Sequence, residues 1–444
     1  MSGGLGWGSI LRLGLVQTAL GAIVVMMIST LNRVMVVELA LPALVPGALI
    51  AINHSVQILR PAFGHGGDVG GKRTPWIVAG MATLSAGGFV AACGVALGAT
   101  YPGLALCVLG FLAVGLGAAS AGTSVLTMLA SGVVPQRRAA AATLVWVMMI
   151  FGFALTAPLA GYFLKPYSPQ RLLEVMAAVS LAAFALSTIA VLGVERRLVL
   201  PAAPPAPRSF KLALADVWRD CDARRFTIFI FVSMLAYSMQ ELLVEPFAGL
   251  VFAMPPDVTT KLAGIQHGGV LIGMILVAGI ASGIGGRRLG SLRGWTVVGC
   301  LASACALVGL AASGGFGANP LALRGFVGAL GFSNGVYAVA AIGSMMALAT
   351  SGARGREGAR MGMWGAAQAV AFACGGVVGT GLVDFARFAG ASPFHAYGMV
   401  FVIEAAAFVV AAEMARRLGS AAAAAQEAAP AADAAPEGAL PAQS

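Results

Sequence analysis

The sequence predicts an all-α membrane protein with twelve transmembrane helices in two pseudo-symmetric six-helix bundles. Three observations carry that prediction. Of 444 residues, 59% are hydrophobic and 10% charged, with a mean hydropathy of +0.90, whereas a soluble domain has about 25% charged residues. Apolar segments of about 20 residues recur from end to end, each long enough to cross about 30 Å of hydrocarbon as a helix. A glycine-rich segment end running into a basic turn also occurs twice, as GHGGDVGGKR from Gly64 to Arg73 and GIASGIGGRR from Gly279 to Arg288. The copies lie 215 positions apart, close to half the chain, which points to an internal duplication.

Taken in order, the first predicted span is 10–31. It carries Arg12 and runs into LNRVMVVEL with no small-residue cleavage site, so it is expected to be retained rather than removed as a signal peptide. The next five are 42–62, 75–98, 104–132, 141–164 and 171–193. Span 104–132 contains no charged residue and carries the small-residue run GLGAASAG from Gly115, which permits close helix approach. Residues 195–224 begin Pro/Ala-rich and cannot form one continuous helix, although FKLALADVW suits a short amphipathic helix at the membrane surface. The second half has spans 226–250, 262–284, 294–313, 321–349, 361–386 and 395–415, with a second small-residue run, CGGVVGTG, from Cys374. Beyond about 418 the low-complexity run AAAAAQEAAPAADAAPEGALPAQS predicts disorder. The expected organisation is an N-terminal half over 1–194, a cytoplasmic linker over 195–224, a C-terminal half over 225–418 and a tail over 419–444. Strands are excluded because the segments are long apolar runs without ten-residue alternation.

The formal charge of +10 does not indicate nucleic acid, because the basic residues sit in short connections between spans. With the N-terminus inside, only Arg33, Lys165, Arg171, Lys261, Arg324 and Arg387 of the 27 Lys and Arg fall in outer loops, which predicts that both termini are cytoplasmic. Among the six cysteines no pair has CxxC spacing. Buried thiols are expected, with neither a disulfide framework nor a zinc site.

Several polar groups stand out against this background. Arg33 and Glu38 follow Asn32 at the outer end of the first span. They are five apart, so they are not α-helical neighbours and need a bend or partners on other helices. In the seventh span Gln240, Glu241 and Glu245 occupy a comparable level. Glu241 and Glu245 share a face at i, i+4, and repel unless one is protonated or a cation intervenes. These six residues are the gate candidates, and an exposed helix end in water accounts for them equally. In the second span Asn53, His54, Gln57 and Arg60 form one polar stripe, with Gln266 and His267 as a partial counterpart in the eighth. Neutral imidazole can ligate the magnesium of a chlorin and glutamine can hydrogen-bond a ring carbonyl. Interhelical hydrogen bonding explains the same residues more simply.

The repeated turns resemble the loop signature of the major facilitator superfamily, whose members join two six-helix halves through a long middle loop. Gly64, Asp68, Gly71, Lys72 and Arg73 match the first copy and Gly279, Gly286, Arg287 and Arg288 the second, with Val69 in place of an arginine and Gly283 in place of the acidic residue. Such a cluster can latch one conformation of two rocking halves. Enzyme motifs are not found: there is no HExxH, no nucleophile elbow, no DDxxD pair and no glycine-rich loop between a strand and a helix.

The runs LNRVMVVELALPAL, HSVQILRPAFGHGGDVGGKRTPWI, AYSMQELLVEPFAGLVF and ARMGMWGAAQAVAFACGG resemble the PucC family, a branch of that superfamily, over roughly 10–415. The similarity is greatest to members encoded beside bacteriochlorophyll synthesis genes. It implies a light-harvesting assembly factor in the inner or intracytoplasmic membrane of a phototroph, with bacteriochlorophyll or a precursor as cargo; on the side-chain chemistry above, His54, Gln57 and His267 are the candidate pigment contacts, and no metal or nucleotide cofactor is expected. Implied partners are membrane lipid, antenna polypeptides and pigment-synthesis enzymes. An alternating-access transporter of a small solute or tetrapyrrole precursor, and a scaffold that holds no pigment, remain as alternatives.

Overall fold

The computed structural model describes residues 5–57, 72–134, 137–195, 218–219, 221–281, 291–315, 319–350 and 357–418. The first six helices are α1 (Trp7–Val25, prolonged by π-helical segments Met26–Leu31 and Val34–Glu38), α2 (Leu44–Val56), α3 (Thr74–Ala96), α4 (Tyr101–Gly132), α5 (Arg138–Phe163) and α6 (Pro169–Val191). The second six are α7 (Cys221–Phe252), α8 (Pro256–Ala281), α9 (Leu292–Ser313), α10 (Pro320–Thr350), α11 (Glu357–Phe388) and α12 (Pro393–Leu418). No strand occurs among the described residues. Eleven helices are long and apolar enough to cross a membrane, so the protein is a multi-pass membrane protein. The exception, α2, is described for 13 residues, and the rest of predicted span 42–62 lies outside the described residues.

One core is built mainly from α1 to α6 around Leu13, Ile23, Phe111 and Met176, and a second from α7 to α12 around Phe229, Phe247, Tyr337 and Phe401. Small residues set the tightest packing. A Cβ added to Gly117 of α4 would lie 2.5 Å from the Leu84 backbone nitrogen of α3, so the GLGAASAG run lets two backbones touch. Side chains such as Leu181, Ile189, Leu321 and Phe385 face outward, as lipid contact requires.

The face carrying the α1 N-terminus and the α12 C-terminus is called the terminal face, and its opposite the distal face. Helix ends are satisfied by local chemistry: Thr100, Ser168 and Ser291 accept from the backbone N–H three residues on, at 3.1, 3.1 and 3.0 Å. On the terminal face Glu195 does the same across the bundle. Its carboxylate accepts from the Arg73 N–H at 2.5 Å and the Thr74 N–H at 3.0 Å, capping α3 from the end of α6. Burial alone would raise the Glu195 pKa, but those hydrogen bonds and the Arg73 charge hold it below the usual carboxylate range. Arg12 of α1 donates from Nε to the Ala190 carbonyl at 2.9 Å and from Nη2 to Leu192, closing the C-terminal end of α6.

The expectation of buried thiols holds for Cys107 and Cys300 but not for Cys221, Cys305 and Cys374, which are exposed. Cys305 and Cys374 point away from their bundle, where a small apolar group suits lipid as well as it suits a core.

Candidate functional site

The predicted gate residues converge only in part. On the distal face α1 grips the second half through three contacts, and an ion pair within α1 holds one of them in place. Thr30 Oγ1 lies 3.1 Å from Thr260 Oγ1 of α8. Asn32 Nδ2 donates to the Leu242 carbonyl of α7 at 2.9 Å, and Arg33 Nη2 to the Met254 carbonyl at 2.6 Å. Arg33 Nη1 meets Glu38 Oε1 at 2.5 Å.

Two of these contacts have a backbone cause. Pro246 has no N–H, so it leaves the Leu242 carbonyl, four residues earlier, without its α-helical donor, and the Asn32 amide fills the vacancy. Arg33 and Glu38 pair directly, which corrects the expectation that a five-residue spacing needs a bend or another helix. The end of α1 is wound as a π-helix, in which residues five apart become neighbours. Nearby Tyr167 is pushed up to about 12 by burial and by the Glu38 charge, against an opposing effect of Arg33. A further distal clasp joins the halves at α2. The Asp384 carboxylate of α11 accepts from the Ala43 and Leu44 N–H groups at 3.0 and 2.7 Å, capping the α2 N-terminus.

The three polar residues of α7 separate. Glu245 is 4% exposed and faces Ser29, Thr259 and Arg33 at the latch. Gln240 is fully buried with neither amide atom hydrogen-bonded, seven residues before Phe247 and so on the face that packs against Tyr397 and Phe401 of α12. It belongs to the second core rather than to a gate, because a seven-residue step returns to the same side of a helix. Glu241 is half-buried beside Tyr237, one turn from the latch. The single face expected for Glu241 and Glu245, with mutual repulsion, is thus divided into two separate environments.

The predicted stripe on α2 also divides. Asn53 is buried, and its backbone oxygen would lie 2.6 Å from a Cβ on Gly115 of α4. His54 turns the other way and packs on Phe372 of α11, with ring centroids 5.4 Å apart, and Gln57 Nε2 lies 3.4 Å from its Nδ1. Phe372 in turn meets Tyr237 of α7 at 6.0 Å. His54, Gln57, Phe372, Tyr237 and Glu241 thus make a half-buried polar and aromatic cluster where α2, α7 and α11 meet. At the opposite seam His267 of α8 packs edge-on against Phe153 of α5 at 4.8 Å, 4% exposed and with Nδ1 unpartnered. Since α2 corresponds to α8 and α11 to α5 under the internal duplication, the two His–Phe pairs are pseudo-symmetric.

Of the loop signature, Gly64, Asp68, Gly71, Gly286, Arg287 and Arg288, with Arg60 of the stripe, lie outside the described residues. Lys72 is exposed, Arg73 is buried at the start of α3, and Gly279 lies within α8. Residues 331–335 read G-x-S-x-G, the spelling of a nucleophile elbow, but they lie inside α10, where Ser333 Oγ donates to the Ala329 carbonyl at 2.8 Å. A straight helix cannot present that serine on a strained turn. Sequence reading missed Thr30, Asp384, Phe153 and Phe372, which look ordinary until their partners are known. It also missed Glu404, fully buried on α12 with neither carboxylate oxygen hydrogen-bonded, although a lone acid in the run VFVIEAAAFVV was a legible signal. No group of His, Cys, Asp and Glu suited to a metal ion occurs among the described residues.

Comparison with known proteins decides the family. The family described as "PUCC protein" matches residues 30–423. The chain belongs to the PucC family. It is 51% identical over 413 residues to the "Bacteriochlorophyll synthase 44.5 kDa chain" of Rhodobacter capsulatus, covering 93% of this chain and 95% of the relative. It is 30% identical over 423 residues to "Protein PucC" of Cereibacter sphaeroides, covering 89% and 88%. Among solved structures this PucC-family chain resembles a mutant of the nucleoside transporter NupG, with a TM-score of 0.67, 14% identity and coverage of 92% and 99%. It equally resembles a bacterial homologue of the human lysosomal transporter Spinster, with a TM-score of 0.67, 14% identity and coverage of 93% and 96%. At that identity the likeness shows the fold, which is that of major facilitator transporters.

Proposed function

We propose that this PucC-family protein accepts bacteriochlorophyll or a precursor at the α2/α11 seam and hands it to antenna polypeptides during light-harvesting complex assembly, with no covalent step of its own. The observation that carries the reading is the half-buried cluster at that seam. An imidazole packed on Phe372, which in turn meets Tyr237, suits one axial ligand and flat apolar contact to a chlorin, with the Gln57 amide beside it suited to a ring carbonyl. A seam between halves opens sideways into lipid, where both pigment and antenna helices reside. The names of the relatives, one a bacteriochlorophyll synthase chain and one PucC, support a photosynthetic setting. The enzymatic word in the first is read as association, because the sequence lacks the motifs a synthase would need.

Partners follow as antenna polypeptides and pigment-synthesis enzymes in the inner or intracytoplasmic membrane of a phototrophic bacterium. The basic bias makes the terminal face cytoplasmic. The distal clasps favour a second reading, alternating access for a small solute or tetrapyrrole precursor, because they join the halves on one face only among the hydrogen bonds described. One experiment separates these readings: the absorption spectrum of the protein purified in mild detergent from its pigmented host. Stoichiometric chlorin supports pigment handling. No chlorin, with antenna polypeptides co-purifying, supports a scaffold, and neither supports the transporter.

A further inference from the structure

Arg33 spends two donors on the distal latch and keeps a third idle. Nη1 pairs with Glu38, whose side chain is 38% exposed, Nη2 holds the Met254 carbonyl, and Nε has no partner. The guanidinium lies over α7 at Gly249, where an added Cβ would stand 3.3 Å from Nε and Nη2 and 2.8 Å from Val37 Cγ2, so the glycine makes room for it. One turn deeper on the same side of α7 is Glu245, 4% exposed, facing Arg33, Ser29 and Thr259, with Oε2 unpartnered. One cation therefore sits within reach of two carboxylates, bonded to the exposed one and unbonded to the buried one. An unpaired carboxylate in an apolar surround is far costlier than its neutral acid. The other charged or titratable groups around the latch are Asp257 and Lys261 of α8, 4.0 Å apart, Tyr167 between α5 and α6, and Glu241 on α7 itself.

We propose that Glu245 is a proton-binding site that couples proton uptake from the distal side to closure of the distal face. With a proton on Glu245, Arg33 pairs with Glu38 and the Met254 carbonyl, and α1 is clamped to the α7–α8 turn, as seen here. When that proton leaves to distal water, the bared carboxylate draws Arg33 inward, Glu38 and Met254 lose their donor, and α1 is released. The buried charge then has a partner, so opening and deprotonation proceed together. Only the motion of the two halves is taken from the alternating-access reading above, and pigment binding plays no part.

The test is a distance measurement on the full-length protein in lipid. Nitroxide labels are placed at Ala99→Cys and Ala389→Cys, on exposed distal turns of the two halves, with the exposed Cys221, Cys305 and Cys374 replaced by serine. Double electron–electron resonance is recorded from about pH 5.5 to about pH 8.5. The open population is expected to rise at least about threefold towards high pH. Glu245→Gln, which keeps the shape of the neutral acid, should stay closed throughout, and Glu38→Gln, which removes the competing partner, should open at lower pH. A distribution that ignores pH, or a Glu245→Gln protein that opens like the parent, overturns the proposal. If Glu245→Gln does not fold, an unmoved midpoint in Glu38→Gln overturns it alone. The chlorin spectrum is a separate readout, so loss of either idea leaves the other standing.

Discussion

At the α5/α8 seam His267 is 4% exposed behind Phe153, and Gly264 abuts the Pro158 ring, from which an added Cβ would stand only 2.7 Å. At the α2/α11 seam His54 is half-buried beside Gln57 and Phe372, and a Cβ on Gly376 would meet Leu242 Cδ1 at 3.1 Å, the flexible end of a side chain. Both seams inherit a histidine on one half and a phenylalanine on the other. Near His267 the closing group is a rigid proline ring, whereas near His54 it is the end of a leucine side chain, and backbone meets backbone at this second seam only further along, where an added Cβ on Gly47 would lie 2.9 Å from the Gly376 carbonyl oxygen. The difference teaches that duplication supplies matched chemistry and packing decides which copy stays accessible, so that under the proposed function α5/α8 takes the part of a hinge and α2/α11 that of a doorway.

The sharpest way to break that comparison is to remove each imidazole in turn. His54→Ala should weaken chlorin binding by about tenfold, equivalent to about 1.4 kcal/mol, while His267→Ala should leave bound chlorin nearly unchanged. Equal losses in the two absorption spectra would erase the distinction between hinge and doorway. Next in size is packing at the glycines. Gly264→Ala is expected to cost about 2 kcal/mol by overpacking against a proline ring that cannot move aside, and Gly376→Ala less than about 0.5 kcal/mol. Thermal unfolding in one detergent would rank them, and the opposite order would make α2/α11 the rigid seam.

Asp384→Asn tests the clasp at the distal end of the doorway. It removes the charge that caps α2 and should cost about 1 kcal/mol, read as a lower unfolding midpoint with the α5/α8 seam unaffected. The smallest effect is expected away from both seams, at Glu195→Gln on the terminal face. Because the folded Glu195 pKa is depressed, its contribution is present above the unfolded carboxylate value and is lost as pH falls through the folded one. The parent should therefore lose a few tenths of a kcal/mol relative to the Gln variant on acidification, as the caps of α-helices do. A variant that tracks the parent at every pH would show that the α3 cap carries no net stabilisation.

Of the candidate site, the polar residues themselves were legible in the sequence, but their neighbours were not. Arg33 and Glu38 stood out as charges in an apolar run, yet α-helical spacing set them apart, because π-winding is invisible in a residue pattern. Pro246 announced an unpaired carbonyl at Leu242, but not that Asn32 would fill it. Asn53, His54 and Gln57 read as one stripe because periodicity gives angle about one helix, not which neighbour each face meets.

By itself the sequence determined the membrane class, the twelve helices, the six-plus-six duplication and the family resemblance. These follow from run length, hydropathy and local motif, and a helix in lipid satisfies its own backbone whatever lies beside it. Only the tertiary structure decided that Gln240 joins a core while Glu245 joins a latch, that Asp384 caps a helix more than 300 residues away in sequence, and that one histidine of a symmetric pair is sealed. Those outcomes depend on close approach between halves, set by a few glycines, a proline ring and a π-turn. Such contacts are fixed by packing at ångström scale rather than by any single segment.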